Sequence, residues 1–243
     1  MTRILTEELA AGRRDLQQLA HRWVARHQAN PHDIDPETSA ALAHIARHDA
    51  PPSQAAGQGS DPLVRTLPVA LAAYGAPHTL VSASYHIAAL THPDPVVAWA
   101  AVAVNVALAR FLQGKRDFVP DVIEALRNNA VPQELLAAMR RVPLPAREVL
   151  REEASLPGAA LGDAEAALRL AHHEPVLERG LRGIAARGPV AAGRAGLAGA
   201  LLGARDGVRA IPEGWTTRDD GNILGALAVR LVRVDPAAFA GSS

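Results

Sequence analysis

Histidines and carboxylates are the side chains best able to do chemistry in this 243-residue chain, which contains no cysteine. That composition excludes disulfides, thiolate metal sites and a cysteine nucleophile, and it fits a reducing, cytoplasmic setting. His44 and His48 stand four residues apart with Asp49 alongside, a spacing that holds zinc when it falls on one helix face. No glutamate lies between them as in the zinc-protease pattern, so a solvated polar face is the better reading. His172-His173-Glu174 places three ligand types in a row, but adjacent residues diverge around a helix and suit a helix C-terminus instead. Asp219-Asp220-Gly221 reads as an N-cap, and Gly57-x-Gly59 is too short for a phosphate loop. The run from Gly188 to Trp215 is more informative. Gly193, Gly196, Gly199 and Gly203 recur there at helical spacing among alanines and leave one face almost without side-chain bulk. Each glycine costs about 1 kcal/mol against alanine in a helix interior, so a close contact is expected to offset it. Ile211-Pro212 is expected to end that helix.

The elements that must position these residues read as helices with short Pro/Gly breaks. Leu5, Leu9, Leu16, Leu19 and Trp23 predict helix over about 3–28, interrupted at Gly12. Further helices are expected over 37–48, 63–74, 79–90, 95–110, 120–129, 132–140, 145–154, 163–172, 175–186, 190–204 and 222–232, several with proline in the first turn. Residues 51–62 read as a loop. The 95–110 segment is apolar around nearly its whole circumference, which marks a core helix. Its uncharged stretch is shorter than the roughly 18–20 residues needed to cross a bilayer. Trp23, Trp99 and Trp215 are expected in the core. No alternating strand pattern, fixed repeat or heptad seam appears. The fold expected is therefore all-α, a compact orthogonal multi-helix bundle in one domain over 1–243. Formal net charge is zero, so no global field draws the chain to nucleic acid or to an anionic membrane. Residues 1–15 carry scattered charges and lack the apolar segment of a signal peptide. All but Lys115 of the basic residues are arginine, which reads as genome composition.

Residues 188–215 resemble the closing block of the ADP-ribosylglycohydrolase family: Gly-Gly-Asp-x-Asp-[Thr/Ser], a small-residue helix, then Ile-Pro-x-x-Trp. Ile211, Pro212 and Trp215 match. Counting back from Trp215, the family's two aspartates fall on Val190 and Ala192 and its Thr/Ser on Gly193. Asp33-Ile34-Asp35-Pro36-Glu37-Thr38 is similar to Asp-Ile-Gly-x-x-Thr, with Asp35 in place of glycine. Ser60, Arg65 and Pro68 match Ser-Asn-Gly-x-x-Met-Arg and the proline after it, while Asp61, Pro62 and Val64 depart. Leu90-Thr91-His92-Pro93-Asp94-Pro95 matches Leu-Thr-His-x-x-Pro, the most specific of these motifs. Met1 falls on the second aspartate of the family's Asp-Asp-Thr, and its Gly-Asp-Ala-x-Gly element has no counterpart in the sequence.

The resemblance implies an ADP-ribosylglycohydrolase-like bundle whose ligand-binding residues are Ser60, Arg65, His92 and Gly193. The family uses two Mg2+ or Mn2+ ions. The residues at the matching positions here imply no metal site, no cofactor and no catalytic residue. Metals at the scissile bond supply several kcal/mol of barrier lowering, and each 1.36 kcal/mol is tenfold in rate. The first functional expectation is thus binding of ADP-ribose or a nucleotide without metal-dependent cleavage. A scaffold or oligomer subunit with a vestigial cleft is the second. The third is an active ADP-ribosyl hydrolase of N-glycosyl bonds that uses other ligands or an upstream segment.

Overall fold

The computed structural model describes residues 1–31, 34–54, 57–145, 159–188, 192–216 and 221–235. Its order is α1 Thr2–Ala10, α2 Leu16–Ala29, α3 Pro36–His48, α4 Asp61–Arg65, α5 Leu67–Ala73, α6 Pro77–Ala89 and α7 Pro95–Leu112. Then come α8 Val119–Arg127, α9 Gln133–Arg141, α10 Ala160–His173, α11 Leu177–Ala185, α12 Ala192–Asp206, α13 Glu213–Thr216 and α14 Gly221–Leu231. A 3-10 turn, Val208–Ala210, links α12 to α13. The fold is all-α. Among the described residues the backbone pairing outside helices is one isolated antiparallel bridge, Gly59 to Ala159.

Local chemistry explains the breaks. Gly12 sits at φ +71°, a conformation that glycine adopts without strain, and it separates α1 from α2 where the sequence places the interruption. Asp15, Asp35 and Asp94 then accept backbone N–H bonds at the starts of α2, α3 and α7, which satisfies otherwise orphaned donors. Proline stands in the first turn of α3, α4, α5, α6, α7 and α8. The expected 63–74 helix is split at Thr66 into α4 and α5, and α4 begins two residues inside the expected loop. The helix expected over 145–154 and the Asp219-Asp220 N-cap fall almost wholly outside the described residues. So does Val190.

Around α7 the core closes. This helix packs against α4, α5, α6, α8, α10 and α12. By length and composition it could cross a membrane, but 78% of its 18-residue apolar window is buried inside the protein. Asn105, the one polar residue of its buried face, donates to Thr66 Oγ1 at 3.1 Å and Ser84 Oγ at 3.0 Å, tying α7 to the α4–α5 junction and α6. Two features depart from the sequence reading. Helix α12 ends at Gly207, φ +79°, before Ile211-Pro212 is reached. Trp215 is 37% exposed, with the Arg182 guanidinium 5.5 Å from its ring centroid, whereas Trp23 is fully buried and Trp99 packs on Tyr85.

The polar clusters resolve as the bland readings expect. The His44 and His48 rings lie 4.4 Å apart, and Asp49 instead takes His21 at 2.5 Å and Gln17 at 2.9 Å, pinning α2 to α3. His172 and His173 diverge: the first stacks edge-on against Phe118, and the second reaches the Val142 carbonyl at 3.0 Å.

Candidate functional site

Four helical segments and one loop bring a set of polar residues together around Glu37 and Ser60. The start of α3 brings Asp35 and Glu37, the 57–60 loop brings Gly59 and Ser60, and α4 brings Asp61 and Arg65. The α6–α7 turn brings Thr91 and His92, and the start of α12 brings Ala192 and Gly193. Asp35 is the N-cap of α3, its Oδ1 accepting the Thr38 N–H at 2.8 Å, so Glu37 necessarily lies in the first turn, where the helix dipole favours an acid. From there the Glu37 carboxylate reaches back into the 57–60 loop. Its Oε2 accepts the Gly59 N–H at 2.8 Å and faces His92 Nε2 at 3.1 Å. Any side chain at Gly57 would overlap that carboxylate, and a Cβ at Gly59 would stand 2.6 Å from it. The glycines therefore shape a nest for Glu37 and hold no phosphate in this arrangement.

Behind Glu37 runs a buried relay. Arg65 Nη2 donates to Thr91 Oγ1, Arg65 Nη1 reaches Thr38 Oγ1 at 3.3 Å, and the guanidinium stacks 4.9 Å over the Trp23 ring. Burial pulls Arg65 down to about 10, so it stays charged at neutral pH. Burial, then the Arg65 charge, holds His92 below the ordinary histidine range despite the opposing pull of Glu37. His92 is thus neutral near pH 7, and its tautomer follows from its partners. An ionised Glu37 can only accept, so the ring proton is assigned to Nε2 and donated to it, which leaves Nδ1 to accept the Thr91 hydroxyl at 3.0 Å.

Asp35 and Asp61 form the acidic wall. Burial, then hydrogen bonding with Asp35, pushes the Asp61 carboxyl up to about 6, although part of the residue is open to solvent. Burial acts on Asp35 in the same direction, but hydrogen bonds from Asp61 and Thr38 outweigh it and hold Asp35 below its usual value. Asp35 Oδ2 is buried without a partner among the described residues, and a proton on neighbouring Asp61 is the donor that suits it.

On the opposite wall, α12 meets the Ser60 loop. A Cβ added at Gly193 would stand 2.5 Å from Ser60 Oγ and 3.5 Å from Asp163 Oδ2 of α10. Asp163 is buried and paired with Arg194 at 3.1 Å. Of the other glycines in this helix, Gly196 meets Val64 at ordinary contact distance and Gly203 faces open space, so the close approach is concentrated at Gly193.

A model of the ADP-ribosylglycohydrolase family matches residues 1–239. The chain belongs to the ADP-ribosylglycohydrolase family. A solved structure described as an ADP-ribosylglycohydrolase-related protein complex is similar at 25% identity and a TM-score of 0.78, covering 96% of this chain and 78% of that one. No curated protein matches the chain.

With the family established, its metal chemistry can be compared with the residues present. Ala192 and Gly193 carry no oxygen donor, and a Thr or Ser at 193 has no room unless Ser60 moves. These two positions do not fit the family's paired divalent ions. A different group, Asp35, Glu37 and His92, has one ligand atom from each residue within 4.8 Å of the others. There Glu37 Oε2 accepts the Gly59 N–H and faces His92 Nε2, so an ion held by the three residues would take the place of the Glu37–His92 contact.

Of the four residues expected from the motifs, Gly193 adjoins Ser60, and Arg65 reaches His92 through Thr91. Ser60 is 9% exposed, Arg65 3% and His92 1%, so Glu37 is the side chain through which Arg65 and His92 reach toward solvent. Sequence reasoning did not single out Glu37 or Asp163. The Asp-Pro-x-Thr cap signature gives the first a structural address. An acid in the first turn of the alanine-rich α10, two residues before Glu165, is the sequence sign of the second.

Proposed function

We propose that this protein is a non-hydrolysing member of the ADP-ribosylglycohydrolase family whose cleft binds ADP-ribose or a related nucleotide. The observation that carries the proposal is the contrast between the two walls. One has Ala192 and Gly193 where the family's metal ligands would stand, closed against Ser60. The other keeps a braced polar surface, with Glu37 fixed by His92 and the Gly59 amide.

Charge selects how such a ligand would lie. Glu37, Asp35 and Asp61 are acceptors, suited to ribose hydroxyl donors and unsuited to a phosphate. On this reading the ribose sits against Glu37, and the diphosphate turns toward Ser60 and the start of α12. Without two metals at the anomeric bond, bound ligand is released unchanged. Isothermal titration of ADP-ribose tests the proposal, with saturable binding expected in the wild type and weakened by at least about tenfold in Glu37→Ala, the size of one lost charge-assisted hydrogen bond. Absence of any saturable heat refutes it.

A second reading, an assembly subunit, draws support from α14, where Ile223, Leu224 and Val229 are exposed on one short helix. Sedimentation of wild type and Leu224→Asp decides it: a concentration-dependent oligomer lost in the variant is the outcome this reading requires.

A further inference from the structure

Consecutive residues at the start of α12 point to different places. Gly193 faces Ser60, whereas Arg194, about 100° further round the helix, lines a cavity of about 470 Å³ between α10, α11 and the first turn of α12. Four arginines line this cavity, Arg169, Arg179, Arg187 and Arg194, against one carboxylate, Glu174.

Their charges are unequally neutralised. Arg169 is 8% exposed, and its two terminal nitrogens bond the carbonyls of Arg141 and Leu144, which fix the guanidinium without cancelling its charge. A buried cation held only by neutral carbonyls favours an anion nearby. Arg179 is tied to Glu174 at 2.7 Å, and Arg194 is tied to Asp163 at 3.1 Å. Arg187, exposed, lines the same cavity and has no side-chain hydrogen bond or ion pair with any described residue. Gly183 adds no side chain, with nothing within 4 Å of where its Cβ would be, which leaves the α11 side of the cavity open.

We propose that this cavity is an anion site for a phosphate-bearing ligand of pyrophosphate size, separate from the acidic cleft. The arginines' planar forks match phosphate oxygens in pairs, and three of the four, Arg169, Arg179 and Arg194, are already held in place before a ligand arrives. Such a ligand would add a counter-charge beside Arg169 and Arg187, in a cavity whose one lining carboxylate, Glu174, is already paired with Arg179.

Titration calorimetry with inorganic pyrophosphate at fixed ionic strength tests the site. Saturable binding is expected, and Arg187→Gln should weaken it at least about tenfold, the loss of one charge-assisted contact. Because Arg187 is exposed and unbonded, that variant should keep the wild-type circular dichroism and melting temperature. Arg179→Gln, at the opposite rim, should also weaken binding and serves as a second, independent variant. Absence of saturable heat, or affinity unchanged in both variants, overturns the proposal. Affinity altered by Glu37→Gln but not by Arg187→Gln also overturns it, since the anion would then lie in the cleft. Because the ADP-ribose experiment relies on Glu37 and this one on Arg187, either reading can fail without the other.

Discussion

The Glu37 carboxylate fixes which nitrogen of His92 carries its proton, and the Gly59 amide and His92 together hold the carboxylate's direction. Behind them one hydroxyl, that of Thr91, joins the buried Arg65 charge to His92. The acids beside it make the cleft sensitive to pH. Between about pH 4 and 6 the folded protein holds a proton on Asp61 that the unfolded chain, titrating near 3.8, has released. The folded state binds more protons in that window, so stability falls as pH rises through it. Asp61→Asn should flatten the melting temperature between pH 4 and 6.5 relative to wild type. A variant curve parallel to the wild-type curve would assign the slope to other groups. By the same charge argument, ADP-ribose affinity should rise as pH falls from 7 toward 5.5 in the wild type and stay level in Asp61→Asn. On the other wall, Gly193→Ser forces a side chain onto Ser60 and should cost about 1–3 kcal/mol by overpacking, read from urea denaturation. A cost near zero would mean that the Ser60 loop yields freely. His92, Ser60, Arg65 and Gly193 were picked out by their motifs, and Gly193 does adjoin Ser60 as Arg65 does reach His92 through Thr91. The part played by Glu37 was not picked out, because it depends on where the 57–60 loop returns, a contact across 22 residues that no local pattern encodes.

Helix boundaries were read closely where a local cause exists. The Gly12 break, the Asp35-Pro36 start of α3 and the Pro95 start of α7 each follow from one residue's backbone preference. The misplaced end of α12 has the same origin. Ile211-Pro212 is a stop signal, but Gly207 lies upstream and supplies the positive φ at which the chain turns first. Exposure of Trp215 escaped the sequence because an aromatic in a short terminal helix has no periodic context to assign it a face. Packing between elements carries its own prediction at Asn105. Replacing Asn105 with Ala leaves the Thr66 and Ser84 hydroxyls without their amide donor inside the core and should cost about 2 kcal/mol or more. The measurement is the shift in urea midpoint at constant slope. A neutral result would show that α6, the α4–α5 junction and α7 are joined by apolar packing alone.

Across the whole molecule, a formal net charge of zero conceals local clusters of opposite sign. Asp35, Glu37 and Asp61 gather at the starts of α3 and α4, and Arg169, Arg179, Arg187 and Arg194 line the cavity between α10, α11 and α12. Family membership accounts for the bundle, while the proposed separation from the family's two-metal arrangement rests on Ala192 and Gly193. The most direct test of that separation is release of ADP-ribose from an ADP-ribosylated protein, followed over time with Mn2+ or Mg2+ and with EDTA. The account predicts no release above the uncatalysed background in either condition. Sustained turnover with metal that EDTA abolishes would contradict it.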